Sequence, residues 1–156
     1  MHLLITGAAG FIGFHLSNAA IAAGYNVIGI DNMNDYYSTQ LKNDRLSILK
    51  KKNEFTFKKC SIENRKDLEE VFNNNNIKCV INLAAYAGVR HSLSHPQDYI
   101  DANITGFMNI LELSKKFKIK HLIYASSSSV YGSNEKLPSY EEDNVDHPVS
   151  LYGATK

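Results

Sequence analysis

The sequence has little of several features that mark special classes of chain. It carries two cysteines, Cys60 and Cys79, at strand-like positions among or beside apolar residues. Two thiols so placed read as reduced packing groups, and a zinc site would need more ligands at tighter spacing. Only three prolines interrupt 156 residues, and 44% hydrophobic with 21% charged residues describe an ordered globular chain without a sizeable disordered tail. Neither charge predominates: 17 basic against 16 acidic residues give a net charge of +1, spread along the chain. That balance excludes the electrostatic footprint of a nucleic-acid or membrane-surface binder, and the Lys50-Lys51-Lys52 run reads as a solvated helix end. No apolar run is long enough to span a bilayer and no signal peptide is recognisable, so a cytoplasmic location is expected. His91 and His95 lie four apart without the glutamate of an H-E-x-x-H pair, which assigns them to a surface or loop and not to a metal. The length suits one domain with a real core, not two.

What is present is concentrated at the start. Leu3-Leu4-Ile5-Thr6 is an apolar run entering glycines at every third position, Gly7, Gly10 and Gly13. Such a run reads as a buried strand that breaks into a tight turn and opens a helix, the place where an α/β sheet receives a dinucleotide pyrophosphate. Gly7 and Gly10 let the backbone turn and approach phosphate oxygens, while Gly13 lets the helix pack closely on its strand. The helix is expected over 11–23, with Ile12, Leu16, Ala19, Ala20 and Ala23 on one face and Gly24 ending it. A second apolar strand, Val27-Ile28-Gly29-Ile30, then ends at Asp31. This acid stands at about the 20-residue distance from the glycine turn expected of the group that accepts hydrogen bonds from the adenosine ribose hydroxyls. Its carboxylate would repel a 2′-phosphate, which points to NAD over NADP. A glycine-bearing turn in an α/β protein that binds no nucleotide remains the alternative.

Downstream, strands and helices alternate. The polar and aromatic loop Asn32-Met33-Asn34-Asp35-Tyr36-Tyr37 would lie beside the adenosine end of the cofactor, and a helix follows over 41–49. Phe55-Thr56-Phe57 begins a third strand with Cys60-Ser61-Ile62 in the turn after it. A short helix over 67–72 ends in the asparagine run 73–76, since asparagine tolerates turn conformations. The strand at 78–83 opens into the small residues Ala84 and Ala85. A long helix over 99–117 is expected to turn Ile100, Ile104, Phe107, Leu111 and Leu113 toward the sheet, with Asn103 polar in the same region. The strand at 121–125 delivers a serine run to the edge that carries the other turns. The fold class is therefore α/β, a doubly wound parallel sheet of Rossmann type with right-handed crossovers.

Tyr152 and Lys156 are four apart, so on a helix they share a face. An adjacent ammonium and a cationic nicotinamide would favour a phenolate whose unperturbed pKa is about 10. Ser127 is placed to hydrogen-bond the same substrate oxygen, completing a proton-transfer site beside a hydride acceptor.

The glycine turn, Asp31, Asn82-Leu83-Ala84-Ala85, the serine run ending in Val130-Tyr131-Gly132, and Tyr152 with Lys156 occur in the order and spacing of the extended short-chain dehydrogenase/reductase family. Within that family the chain most resembles nucleotide-sugar 4-epimerases of the UDP-glucuronate type. The closer match lies in the loop from Asp31 to Tyr37 with Leu41-Lys42 and Arg45-Leu46, in Ala87-Gly88-Val89-Arg90, in 125–132, and in Pro148-Val149-Ser150-Leu151-Tyr152. The resemblance implies C4 epimerisation of a UDP-sugar in polysaccharide biosynthesis. Tyr152 takes the proton from the sugar 4-hydroxyl while the C4 hydride passes to NAD, and a 4-keto intermediate is reduced on its opposite face. Lys156 would hold the nicotinamide ribose and lower the tyrosine pKa; Ser127 would bind the 4-oxygen.

The same resemblance assigns NAD contacts to Gly7, Gly10, Phe11, Ile12 and Gly13 at the phosphate turn, and to Asp31, Asn32 and Asn34 at the ribose. It adds Ser61 and Ile62, then Leu83, Ala84, Ala85 and Asn103, with Tyr152 and Lys156 at the nicotinamide. Substrate contacts fall on Arg90, Ser127 and Ser128, Arg90 meeting a carboxylate or phosphate unless it is simply a surface arginine. No metal is implied. Ser128 and Ser129 stand where related sugar 4,6-dehydratases place an acidic pair, which favours epimerisation over dehydration. Ser61 departs from the family's usual adenine-contacting aspartate. Family members are about twice as long, so residues 1–156 are expected to be an incomplete dinucleotide-binding domain without the substrate domain and inactive alone. A homodimer through helices of this half, the 99–117 helix among them, is also implied. Three alternatives stay open: a non-catalytic dinucleotide-binding domain, a UDP-galactose 4-epimerase, and a sugar dehydratase relative.

Overall fold

Aliphatic runs too short for buried helices and flanked by turn residues form strands. The computed structural model describes residues 2–156 and contains β1 (His2–Thr6), β2 (Asn26–Asp31), β3 (Phe55–Lys59), β4 (Ile77–Asn82) and β5 (His121–Tyr124). Their order is β3-β2-β1-β4-β5 and every pairing is parallel. In this register Leu4 stands between Ile28 and Val80. Helices cover both faces, which is why β1 and β2 are almost continuously apolar. Alternation along β1 sends Leu4 into one core with Ile28, Leu68, Phe72 and Ile110. Leu3 and Ile5 enter the other, with Val27, Leu46 and Leu49. The chain runs outward from β1 through β2 to β3, then returns to the other side of β1 to make β4. The crevice at the carboxyl ends of β1 and β4 is thus the topological switch point of the sheet.

The helices are α1 (Phe11–Ala22), α2 (Thr39–Leu49), α3 (Arg65–Asn73), α4 (Val89–Ser94), α5 (Pro96–Tyr99), α6 (Phe107–Lys116) and α7 (Leu151–Ala154). A π-helical stretch, Ile100–Gly106, joins α5 to α6. α1 ends near Gly24 as expected, the Gly24 N–H donating to the Ile21 carbonyl at 2.9 Å.

Three expectations need correction. The buried residues of α1 are Gly13, Ser17 and Ala20, and Leu16 packs half-buried on the core as expected, whereas Ile12 is 60% exposed and Ala19 and Ala23 face solvent. Close approach decides this, because a Cβ on Gly13 would lie 2.1 Å from the Gly7 carbonyl oxygen. Ser17 fits the same tight face by donating its hydroxyl back to the Gly13 carbonyl at 2.7 Å. In the helix expected over 99–117, Ile104 and Leu111 turn outward while Ile110 and Leu113 reach the core. The i→i+5 bonding of its π-helical part holds more residues per turn than an α-helix, so a 3.6-residue period carried through it loses phase. Finally, α7 is a single turn that contains Tyr152 but not Lys156. It starts at Ser150, whose hydroxyl accepts from Gly153 N–H at 3.0 Å, and it tightens where Thr155 N–H bonds the Leu151 and Tyr152 carbonyls.

Candidate functional site

At the end of β1 the Thr6 hydroxyl donates to Asn82 Oδ1 at 2.7 Å and accepts from the N–H groups of Leu83 and Ala84 at 3.0 and 2.9 Å. This fastens the end of β1 to the end of β4. Gly7 then turns with φ +66°, a conformation that glycine adopts freely, and a Cβ on it would stand 3.1 Å from Ala84 N. Gly10 N–H donates to the Gly7 carbonyl at 2.9 Å, and α1 opens directly from it. The backbone thus presents a turn with no Cβ at Gly7 or Gly10 at a helix start, the arrangement that suits an anionic pyrophosphate.

Asp31 ends β2 with both carboxylate oxygens engaged. Oδ2 accepts from Ala9 N–H at 3.2 Å and Oδ1 from Met33 N–H at 2.8 Å, which orients the group and leaves lone pairs for a diol. Beside it lies Lys42 of α2, only 4% exposed, its Nζ 3.7 Å from Asp31 Oδ1. The Lys42 ammonium donates to the Asn34 carbonyl at 2.9 Å and to Asn34 Oδ1 at 2.7 Å. Asn34 in turn donates from Nδ2 to the Tyr86 hydroxyl at 3.0 Å. Arg45 Nη1 bonds the Ala9 carbonyl and the Tyr37 hydroxyl, each at 3.2 Å.

Asp31 and Asn34 line one cleft with Gly7, Gly10, Asn32, Ser61, Ile62, Leu83, Ala84 and Ala85. Lys42, Tyr36, Tyr37, Glu63, Tyr86 and Ala102 line it too and were not singled out as site residues from the sequence. A signal existed for Tyr36, Tyr37 and Lys42, which lie in the stretch that carries the family resemblance. Glu63 had none.

A second, smaller cleft shares Ala84 and Ala85 as a wall and adds Asn103, Phe107, Tyr124, Thr155 and Lys156. Burial holds the Lys156 ammonium below the usual lysine range. Asn103 is spent on the protein itself: Oδ1 accepts from Tyr86 N–H at 2.8 Å, and Nδ2 donates to the Tyr86 carbonyl at 3.0 Å and to Thr155 Oγ1 at 3.1 Å. It therefore pins α7 to the loop after β4. Tyr152 meets the Tyr99 ring edge-on, centroids 6.1 Å apart. Tyr99 is fully buried, its hydroxyl lies 2.7 Å from both the Ala87 and Gly88 carbonyl oxygens, which share its one proton, and burial pushes its phenol up to about 12. Ser127 accepts from Ser129 N–H at 3.2 Å as the cap of the 3-10 turn Ser128–Tyr131. A Cβ on Gly153 would stand 2.6 Å from the Ser129 carbonyl, so α7 lies directly on that turn. Ser126 ties it to Lys156, hydroxyl to carbonyl, at 3.3 Å.

The folded chain thus brings Gly7, Gly10, Asp31, Ala84, Ala85, Asn103 and Lys156 onto the two clefts, while Gly13 packs α1 on the turn and lines neither. Ser127, Ser128 and Tyr152 line neither cleft, and Arg90, Phe11 and Ile12 are exposed.

A profile of the GDP-mannose 4,6 dehydratase family matches residues 4–156. The chain belongs to that family. Within the GDP-mannose 4,6 dehydratase framework it is 58% identical to Protein CapI of Staphylococcus aureus over 156 residues, 100% of this chain and 46% of the relative. It is 46% identical to a UDP-glucuronate 4-epimerase of Thermodesulfobacterium geofontis over 155 residues, 99% of this chain and 48% of that one. Among solved structures, UDP-glucuronic acid 4-epimerase from Bacillus cereus in complex with UDP-glucuronic acid and NAD is similar with a TM-score of 0.89 and 39% identity, covering 100% of this chain and 49% of that one. UDP-glucose 4-epimerase from Thermotoga maritima, with UDP-glucose, gives 0.86 and 34% over 100% of this chain and 48% of that one. The chain spans about half the length of the curated relatives it matches.

Proposed function

We propose that residues 1–156 form the dinucleotide-binding part of an NAD-dependent nucleotide-sugar 4-epimerase whose substrate is UDP-glucuronate, with the substrate domain in the other half of the relatives' length. One observation carries the reading: two clefts that share Ala84 and Ala85 lead from the glycine turn and Asp31 to Asn103 and Lys156. The residues present suit NAD. A turn with no Cβ at Gly7 and Gly10 meets the pyrophosphate, an oriented carboxylate meets the ribose diol, and the residue at the nicotinamide end is a desolvated lysine. NAD, when bound, supplies a reversible hydride acceptor for C4 of the sugar.

The chain's own groups then handle the proton. Tyr152 takes it from the 4-hydroxyl and returns it, and Ser127 hydrogen-bonds the same oxygen, while Lys156 lines the second cleft where it would hold the nicotinamide ribose. Asn103 positions α7 through Thr155. Ser128 and Ser129 offer no carboxyl acid for eliminating water, which supports epimerisation over dehydration. UDP-glucuronate is favoured by the Bacillus cereus and Thermodesulfobacterium relatives. A homodimer belongs to the same proposal, supported by the exposed stripe Ile104, Met108 and Leu111 at helical spacing. Cytoplasmic residence and a use in polysaccharide biosynthesis rest on the family resemblance.

Calorimetric titration with NAD tests the reading. This chain should bind NAD weakly and saturably, Asp31→Ala should abolish binding, and 1–156 alone should not epimerise UDP-glucuronate. Binding unchanged in Asp31→Ala would refute the assignment of the site.

A further inference from the structure

Past Asp31, the first cleft is closed by the turn that follows β3. Cys60 N–H donates to the Asp31 carbonyl at 3.1 Å, so the turn begins beside the residue that faces the ribose. The Asn109 side-chain amide, from α6, donates to the carbonyls of Ile62 at 3.0 Å and Glu63 at 3.2 Å. Asn64 N–H closes the turn on the Ser61 carbonyl at 3.2 Å. Ser61, Ile62 and Glu63 are therefore held rigidly as the end wall.

The polar atoms of that wall have one character. The Ser61 hydroxyl donates its single proton to the Glu63 carboxylate, which leaves only lone pairs on either side chain for a ligand. Ile62 adds an apolar surface against which a flat ring can lie.

We infer that Glu63, supported by Ser61, is the residue of this chain that selects the base of the dinucleotide, by accepting a hydrogen bond from the exocyclic amino group of adenine. The inference rests on the NAD reading above. A carboxylate at this place accepts from an amine and opposes the carbonyl that replaces it in hypoxanthine, whose oxygen would face a negative charge with no proton between them. Ser61 occupies the position at which the resembled family has an aspartate, and Glu63 returns the missing charge from two residues further along the same turn. Ser61 keeps the carboxylate directed by its own proton.

Calorimetric titration of this chain with NAD and with nicotinamide hypoxanthine dinucleotide reads the selection directly. The parent should bind NAD about tenfold or more tighter than the hypoxanthine analogue, the scale of one hydrogen bond to a charged group. In Glu63→Gln, whose amide can turn a donor toward a carbonyl, the two affinities should come within about threefold of each other. Ser61→Asp added to Glu63→Gln should restore the tenfold preference, which a merely structural effect at Glu63 would not do. An unchanged ratio in Glu63→Gln, with NAD still bound, overturns the inference and leaves the cofactor reading standing. Failure of the parent to bind NAD overturns that reading and the inference with it.

Discussion

Replacing Lys42 with methionine isolates the most deeply buried charge beside the glycine turn. The side chain is 4% exposed next to an aspartate that is 7% exposed, with 3.7 Å between Nζ and Oδ1, and its ammonium makes two hydrogen bonds of 2.9 and 2.7 Å to Asn34. Hydrogen bonds to charged groups contribute about 1.5–3 kcal/mol each, and removing one partner of a buried pair costs about 3–5 kcal/mol. Two offsets apply. Methionine refills most of the volume, and Asp31 keeps its bonds from Ala9 and Met33 N–H. The lower end of that range, about 3 kcal/mol, is therefore expected. With a urea m-value of about 2 kcal/mol/M, the unfolding midpoint should fall by about 1.5 M at unchanged m. Far-ultraviolet circular dichroism during urea titration measures this. A double-mutant cycle with Asp31→Asn should give a coupling energy of about 1 kcal/mol or more. A loss below about 0.5 kcal/mol, the size of ordinary surface substitutions, would refute the view that this ammonium holds the adenosine loop.

Two further outcomes follow from burial. Met108→Glu, on the outward stripe of α6, should leave the thermal midpoint nearly unchanged and convert a dimer to a monomer in sedimentation velocity; a monomeric parent would remove the dimer from the proposal. Burial, followed by the nearby Asp67 carboxylate, pushes the Cys60 thiol up to about 11 from 9.0. The folded state therefore favours the neutral thiol. Its contribution to stability is whole below pH 9.0 and is lost as pH rises toward about 11. Cys60→Ala should flatten the fall in urea midpoint across that window, and an unaltered slope would count against it.

Much of the fold was legible because its signals are local. The β1 and β2 runs, the glycines and Asp31 each depend on a few adjacent residues, and the parallel sheet follows from the alternation of strands with helices, whereas the strand order comes only from the structure. What misled was phase. On α1 the apolar period running from Ile12 to Ala23 suggested one face, but the buried positions were chosen by which side chains are small enough for the helix to sit against the Gly7 turn. Along 100–106 a π-helical stretch breaks the 3.6-residue period, so that Ile104 and Leu111 turn outward while Phe107 and Leu113 still pack inward, and no residue type announces such a stretch. At the clefts, Asp31 and the alanines could be read from position. Lys42 and Glu63 act through partners distant in sequence or through a turn's exact shape, and spacing alone carries neither. Lys156 left the helix it was expected to share with Tyr152, yet it reached the second cleft, where Asn103 holds the preceding Thr155 hydroxyl and Ser126 holds the Lys156 carbonyl.

The Thr6 hydroxyl also has a consequence in time. It joins β1 to Asn82 across 76 residues of chain, and β4 itself begins only at Ile77. A ribosome adding about 5–20 residues per second needs about 4–15 s to cover that distance. Throughout that interval the central strand, first to be synthesised, has one flank open and its Leu4 and Ile5 covered only by whatever has already emerged. Long-range parallel pairing of this kind folds slowly and exposes strand edges while it waits. The residue that fixes the crevice between β1 and β4 in the finished protein therefore also marks the moment in synthesis at which that edge is sealed.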